Sequence, residues 1–320
     1  MLIIDQLIHN IDEKNCPIVV GLDPLIQFIP PHIKKQALSE FGNTEKAVAE
    51  CFLRFNQELI RSLHSFIPAV KLQMACYELY GAEGMEVFRK TTHLAQRYGL
   101  IVVDDSKRND IGSTASLYAK GHLGAPPLID GEGEINRPDF LTINPYMGSD
   151  TIDPFIEECQ KNNKGLFVLI RTSNPSATEY EAAILGDVLL FEKIALDMEV
   201  RARTYLGNRG FSPLGAVVGA TWPKEAAKLR ELMPSTYFLV PGYGAQGGTA
   251  RQVTAVFDEN GYGALVNSSR GIIFAYRDQA FKERFADGRK FAEASREALQ
   301  LMKNDIMISL KNAQKLPKHW

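Results

Sequence analysis

The stretch LIVVDDSKRNDI, residues 100–111, passes from four apolar residues directly into a run of alternating charge. Its apolar part is short and continuous rather than alternating. That is the pattern of a strand covered on both faces, as in a parallel sheet packed against helices. Runs of the same kind recur as PIVVGLD (17–23), AVKLQ (69–73), FLTIN (140–144), GLFVLIR (165–171), GAVVGA (215–220), TYFLV (236–240) and GALVNS (263–268). Between them lie helix-compatible stretches, among them TEKAVAECFLRFNQELIRSLHSF and EYEAAILGDVLLFEKIALDMEVRARTYLG. Counting LIVVDD (100–105), eight strands alternate with helices. This predicts an α/β fold of the (β/α)8, or TIM, barrel type, with a doubly wound open sheet as the alternative that periodicity alone leaves open.

The 320 residues are read as a single barrel domain, 1–320, carrying surface insertions. GHLGAPPLIDGEGEINRPD (121–139), rich in Gly, Pro and acidic residues, is the clearest insertion. With 45% hydrophobic and 23% charged residues the chain has a globular balance, and its size allows a large core without cross-links. A formal charge of -2 provides no basic field for nucleic acid, so any phosphate site must be local. Cys16, Cys51, Cys76 and Cys159 form no CxxC pair, and the six histidines show no metal-ligand spacing. The expectation is reduced thiols and no metal. The start, MLIIDQLIHNIDEKN, lacks a basic segment followed by a long apolar stretch, and no apolar run approaches the ~20 residues of a membrane span. A cytoplasmic protein without membrane partners is expected.

In a barrel of this type chemistry is expected at the C-terminal ends of the strands. Asp23 closes the first run, Lys71 lies inside the second between Val70 and Leu72, and the third leads into Asp105, Lys107 and Asp110. Alternation puts Asp105 and Lys107 on one face with Ser106 on the other. If that face looks into the barrel mouth, Lys71 from the adjacent strand joins them, with Asp110 following from the next turn. Opposite charges at close range would keep both lysines protonated. A structural ion-pair network reads the same way, but lysine is rarely buried without a partner, so one inside an apolar strand favours a functional array.

A second theme is phosphate. The seventh run ends in Pro241-Gly242-Tyr243-Gly244-Ala245-Gln246-Gly247-Gly248 and the eighth in Asn267-Ser268-Ser269-Arg270. Loops after strands seven and eight of such barrels frequently hold a phosphate on backbone N–H groups. Glycines allow close backbone approach, and an arginine binds two phosphate oxygens at once. Thr172-Ser173-Asn174-Pro175, after the fifth run, reads equally as a polar-ring contact and as an ordinary Asn-Pro turn.

Together these residues resemble the orotidine 5′-phosphate decarboxylase family. Asp105-Ser-Lys107-Arg-Asn-Asp110-Ile111-Gly-Ser-Thr114 is similar to its Asp-x-Lys-x-x-Asp-Ile-x-x-Thr signature. Gly21-Leu22-Asp23 and Val70-Lys71 resemble its first two strand ends, and Pro241 to Gly248 with Arg270 its phosphate site. The likeness runs from about residue 17 to 276, and the length and insertions resemble the longer bacterial branch. It implies a cofactor-free enzyme converting orotidine monophosphate to uridine monophosphate and carbon dioxide. It also implies a homodimer with shared sites. By position, Asp23 and Lys71 would hold the ribose hydroxyls, Asp105 would sit beside the substrate carboxylate, and Lys107 would protonate C6. Asp110 and Thr114 would reach the partner subunit's substrate. Ser173 would read the pyrimidine, and Pro241, Gln246 and Arg270 would form the phosphate site. Shorter relatives carry glycine where this chain has Ser269.

Three other activities fit parts of the pattern. A metal-dependent enzyme acting on a sugar phosphate would need an acidic cluster, and the second strand end adds no carboxylate near Lys71. A Schiff-base aldolase would need a neutral lysine. A nucleotide sensor would need the phosphate elements but not the charged array.

Overall fold

The computed structural model describes residues 1–133, 137–244 and 247–320. Ten strands follow in chain order: β1 Ile18–Leu22, β2 Ala69–Gln73, β3 Ile101–Arg108, β4 Phe140–Ile143, β5 Gly165–Arg171, β6 Ile184–Leu185, β7 Val188–Leu189, β8 Ser212–Val218, β9 Thr236–Val240 and β10 Ala264–Ser268. Eight of them close into a parallel barrel in the order β1-β10-β9-β8-β5-β4-β3-β2, which settles the fold in favour of the barrel over the open sheet. Nearly every strand residue is buried, as continuous apolar runs require.

Inside the barrel, Val19, Ala69, Ile101, Val103, Phe140, Phe167, Leu239 and Leu265 form one apolar cluster. The helix Ile3–Lys14 joins it through Ile4, Leu7, Ile8 and Ile11, so the N-terminal end of the barrel is plugged with hydrocarbon. Phe140 and Phe167 stack at 5.0 Å between ring centroids. Two glycines make room for them: a Cβ on Gly165 would overlap the Phe140 ring, and one on Gly215 would meet Phe167 at 2.6 Å. The other core cluster lies between the barrel and its helices. Glu45–Leu63, for example, is capped by Thr44, whose hydroxyl accepts from Ala47 N–H, and buries Phe52, Phe55 and Leu59.

Three segments depart from the pattern reading. Strand β3 continues past the apolar run to Arg108, so the charges belong to the strand itself. Strand β8 spans 212–218 rather than 215–220. Ser212 and Pro213 look like a turn in sequence, yet Ser212 N–H donates to Ser235 O at 2.8 Å, and Pro213 sits near the strand start, where a missing donor is tolerated. The helix-compatible stretch from residue 179 is not helical throughout. A short helix, Ala177–Tyr180, is followed by the antiparallel pair β6–β7 and only then by the helix Leu190–Ala202. The break falls at Gly186-Asp187, where Gly186 adopts φ +64°, a hairpin-turn geometry that helix propensity does not reveal.

Within the expected insertion, residues 121–123 finish the helix Gly112–Leu123, and Pro127 pairs with Glu132 in an isolated bridge. Leu128 and Ile129 are exposed. Asp139, at the far end, is instead buried, accepting from Val102 N–H at 2.9 Å and from the Lys164 ammonium at 3.1 Å. No helix among the described residues is long and apolar enough to cross a membrane.

If the stacked phenylalanines hold the barrel interior, Phe167→Ala should lower the unfolding free energy by about 3–5 kcal/mol. Urea unfolding of the ligand-free protein measures this.

Candidate functional site

At the C-terminal mouth of the barrel a cavity of about 620 Å³ opens, within the usual range for small-molecule sites. Lys71 from β2 and Asp105 and Lys107 from β3 form its floor, with Asp23 at the end of β1. The register brings Gln73 opposite Asp105 and Gly21 opposite Lys71. The Lys71 ammonium lies 2.8 Å from Asp105 Oδ2 and 3.3 Å from Asp23 Oδ1, while Lys107 Nζ lies 2.5 Å from Asp105 Oδ1. Lys71 is 4% exposed, whereas the Lys107 side chain is 43% exposed and faces the open cavity. Lys71, Asp105 and Lys107 of the array read from sequence are thus brought together, and the carboxylate that joins them is Asp23 rather than Asp110.

Burial alone would pull the Lys71 ammonium down. The Asp105 and Asp23 carboxylates more than offset it and hold Lys71 above the ordinary lysine value. Burial likewise would raise Asp105, but Lys71 and Lys107 outweigh it, through charge and hydrogen bonding, and keep the carboxyl well below the usual range. The floor thus carries fixed charges, two positive beside two negative. Cys76 also lines the cavity, and burial followed by the nearby Asp23 pushes its thiol up to about 11, so it stays neutral and is no nucleophile.

Lys107 has φ +52°, a left-handed backbone that costs a non-glycine residue on the order of 1 kcal/mol or more. It coincides with a register irregularity between β3 and β4. Thr142 of β4, fully buried, holds it there: its hydroxyl accepts the Lys107 N–H at 2.9 Å and donates to Asp105 Oδ1 at 3.1 Å. On the other face of β3, Asp104 is buried against the Ser106 hydroxyl and His122 Nδ1, the latter at 2.7 Å. Successive residues of β3 are therefore anchored on opposite sides.

Of the remaining predicted residues, Ser173, Pro241 and Arg270 line the same cavity. Arg270 opens the short helix Arg270–Ile273. The loop after β9 turns through Gly242 and Gly244, at φ +101° and +70°, and folds on itself by Gly244 N–H to Gly248 O at 2.8 Å. Gln246 lies outside the described residues. Ser269 is accommodated by Gly21, where any Cβ would overlap the serine hydroxyl. Asp110 and Thr114 do not line this chain's cavity. Asp110 accepts from Ile111 N–H at 2.7 Å, and Thr114 is exposed on the helix Gly112–Leu123, near exposed Ile111, Leu117 and Tyr118.

Sequence reasoning missed Gln73, whose amide donates to Asp105 Oδ2 at 3.1 Å, and Thr142. Both were within reach of the alternation that paired Asp105 with Lys107: Gln73 shares a face with Lys71, and Thr142 with Phe140. Asn267 also lines the cavity. Among the described residues no three His, Cys, Asp or Glu side chains converge as a metal cluster.

Comparison with known proteins gives one consistent result. Residues 18–284 match the family described as Orotidine 5′-phosphate decarboxylase / HUMPS family. An orotidine 5′-phosphate decarboxylase of Caldicellulosiruptor bescii is 37% identical over 274 residues, 86% of this chain and 90% of its own length. One of Clostridium tetani is 37% identical over 310 residues, covering 97% of this chain and 99% of that protein. Among solved structures, an OMP decarboxylase of Leishmania donovani is similar at a TM-score of 0.68 and 28% identity, covering 95% of this chain and 99% of that one.

The pairing has a pH signature. Asp105 is depressed by folding, so its contribution is present above an unfolded carboxylate value near 4 and is lost as pH falls through the lower folded value. Lys71 is raised, so its contribution is complete below about 10 and is lost as pH rises through the higher folded value. Lys71→Met, which removes the buried cation between Asp23 and Asp105 and leaves Asp105 to Lys107, should lower stability by about 3–5 kcal/mol. Denaturant titrations from pH 3 to 11 should show that loss constant between about pH 5 and 9 and smaller at the acid end. A loss that drifts steadily through neutrality would contradict the charge assignments.

Proposed function

The chain belongs to the Orotidine 5′-phosphate decarboxylase / HUMPS family, and we propose that it decarboxylates orotidine monophosphate to uridine monophosphate, with Lys107 as the proton donor. The observation that carries the reading is the Lys71–Asp105–Lys107 array at the mouth of the barrel. Breaking the bond from C6 to the carboxylate leaves an electron pair on C6 as carbon dioxide departs. An ammonium already fixed in place stabilises that charge without reorganisation and then delivers its proton to the same carbon. Lys107, tethered by Asp105 and open to the cavity, is suited to this. In this reading Asp105 sits beside the substrate carboxylate, and Asp23 and Lys71 hold the ribose hydroxyls.

The phosphate end anchors the substrate. Arg270 and the loop that contains Gln246 take the phosphate, and binding energy from this remote group contributes to transition-state stabilisation. Ser173 takes the pyrimidine edge. Asp110 and Thr114 serve the site of a second copy, whose docking would cover exposed Ile111, Leu117 and Tyr118, so the working form is a homodimer. The enzyme needs no metal or organic cofactor and works in the cytoplasm.

Features of the site weigh against the other readings. Gln73 stands where a metal enzyme acting on a sugar phosphate would place a further carboxylate, and Asp23 and Asp105 are both engaged by lysine. Lys71 is held charged, which disqualifies it as a Schiff-base nucleophile.

EDTA-treated protein should convert orotidine monophosphate at full rate, and Lys107→Ala should lose at least a thousandfold in kcat, as followed by loss of pyrimidine absorbance. Activity that returns only with magnesium would point to the sugar-phosphate chemistry instead. Shared sites make a second prediction. Lys107→Ala and Asp110→Ala, each inactive alone, should on mixing and subunit exchange recover about a quarter of wild-type activity, because half the dimers then hold one intact site.

A further inference from the structure

Arg171, the last residue of β5, is fully buried and is the largest such side chain among the described residues. A guanidinium cannot shed its charge, so its burial depends on its partners. Its Nε donates to Glu225 and one terminal nitrogen donates to Glu181 at 2.9 Å. Its plane lies 4.2 Å from the Trp222 ring centroid and 5.6 Å from that of Phe191.

Two of these partners grip the next residue. Glu181 accepts the Thr172 N–H at 3.0 Å and the Thr172 hydroxyl at 2.5 Å. Trp222 Nε1–H donates to Thr172 O at 2.9 Å. The amide, carbonyl and hydroxyl of Thr172 are therefore all bound from behind. Ser173 is held too: Thr221 donates to its carbonyl at 3.3 Å, and Gly219 packs so closely that a Cβ there would meet Ser173 Cα at 2.9 Å. Thr172, Ser173 and Asn174 line the substrate cavity, whereas Arg171, Glu181, Trp222 and Glu225 do not.

We propose that Arg171, Glu181, Glu225 and Trp222 form a positioning hub, built around the buried guanidinium, that sets the base selectivity of the site by fixing the loop 172–174, without touching the ligand. This rests on the reading in which that loop meets the pyrimidine. Two carboxylates and an aromatic face around one cation require a planar fork, which arginine has and lysine lacks. Because Glu181 and Trp222 reach the loop through hydrogen bonds of fixed direction, and Arg171 with Glu225 holds Glu181 and the indole in place, a small displacement in the hub moves the Ser173 contacts. The phosphate and ribose contacts, on other strands, stay in place.

Two ligands separate this role from a general structural one. Uridine monophosphate and ribose 5-phosphate share phosphate and ribose, and only the first has a base. Trp222→Phe retains the aromatic face and removes the single donor to Thr172 O. It should weaken uridine monophosphate about tenfold as a competitive inhibitor and leave ribose 5-phosphate within about twofold. Parallel weakening of both ligands would overturn the proposal. Ser173→Ala, measured alongside, separates the proposal from the reading beneath it. A base-selective loss in Ser173→Ala with none in Trp222→Phe removes the hub and leaves the loop as base reader. No selective loss in either removes both.

Discussion

A lysine ammonium inside an apolar strand cannot stay charged unless carboxylates stand against it, and the architecture of this site follows from that requirement. Lys71 is buried between Val70 and Leu72 on β2. Asp105, opposite Gln73 on the adjacent strand β3, therefore stands 2.8 Å from the ammonium and must itself be ionised. Once Asp105 is fixed and negative, it holds the second ammonium, Lys107, at 2.5 Å. The more exposed lysine owes its place to the less exposed one.

The same requirement reaches into the backbone. Holding Lys107 over Asp105 uses a left-handed residue next to the end of a strand, an arrangement that costs energy and survives only when neighbours enforce it. Thr142 enforces it from β4, and Asp104 with His122 anchors the opposite face. Rigid strands thus carry the charges, while loops after β5, β9 and β10 line the rest of the cavity, a division expected of barrels. Such loops are not automatically loose. The one after β5 is pinned by a buried arginine, two glutamates and a tryptophan, so its geometry is as determined as that of the strands.

How much of this was legible in the sequence depended on whether a residue was anomalous in its surroundings. Eight apolar runs announced the barrel, and strand ends differ by more than one residue only at β8, where Ser212-Pro213 imitates a turn, and at β3, where charged residues continue the strand. Lys71 and Asp105 stood out because charges do not belong in buried strands. Gln73 and Thr142 did not, since an uncharged polar residue near a strand end is unremarked, although both touch Asp105. The hairpin at Gly186 was hidden among good helix formers. Arg171 passed as an ordinary polar strand end because its partners, Glu181 and Glu225, lie 10 and 54 residues away in sequence. Long-range pairing of this kind has no local signature.

The central claim is that the charges of the floor are set before any substrate binds. The most direct measurement is carbon-detected NMR of aspartate side chains in the ligand-free protein, with Asp105 assigned by difference from Asp105→Asn. Its carboxyl signal should remain that of a carboxylate as pH falls from 7 to about 3, because the folded value lies below the ordinary one near 3.9. A signal that titrates at or above that ordinary value would mean that Lys71 and Lys107 do not hold Asp105 ionised, and the array would not be preorganised.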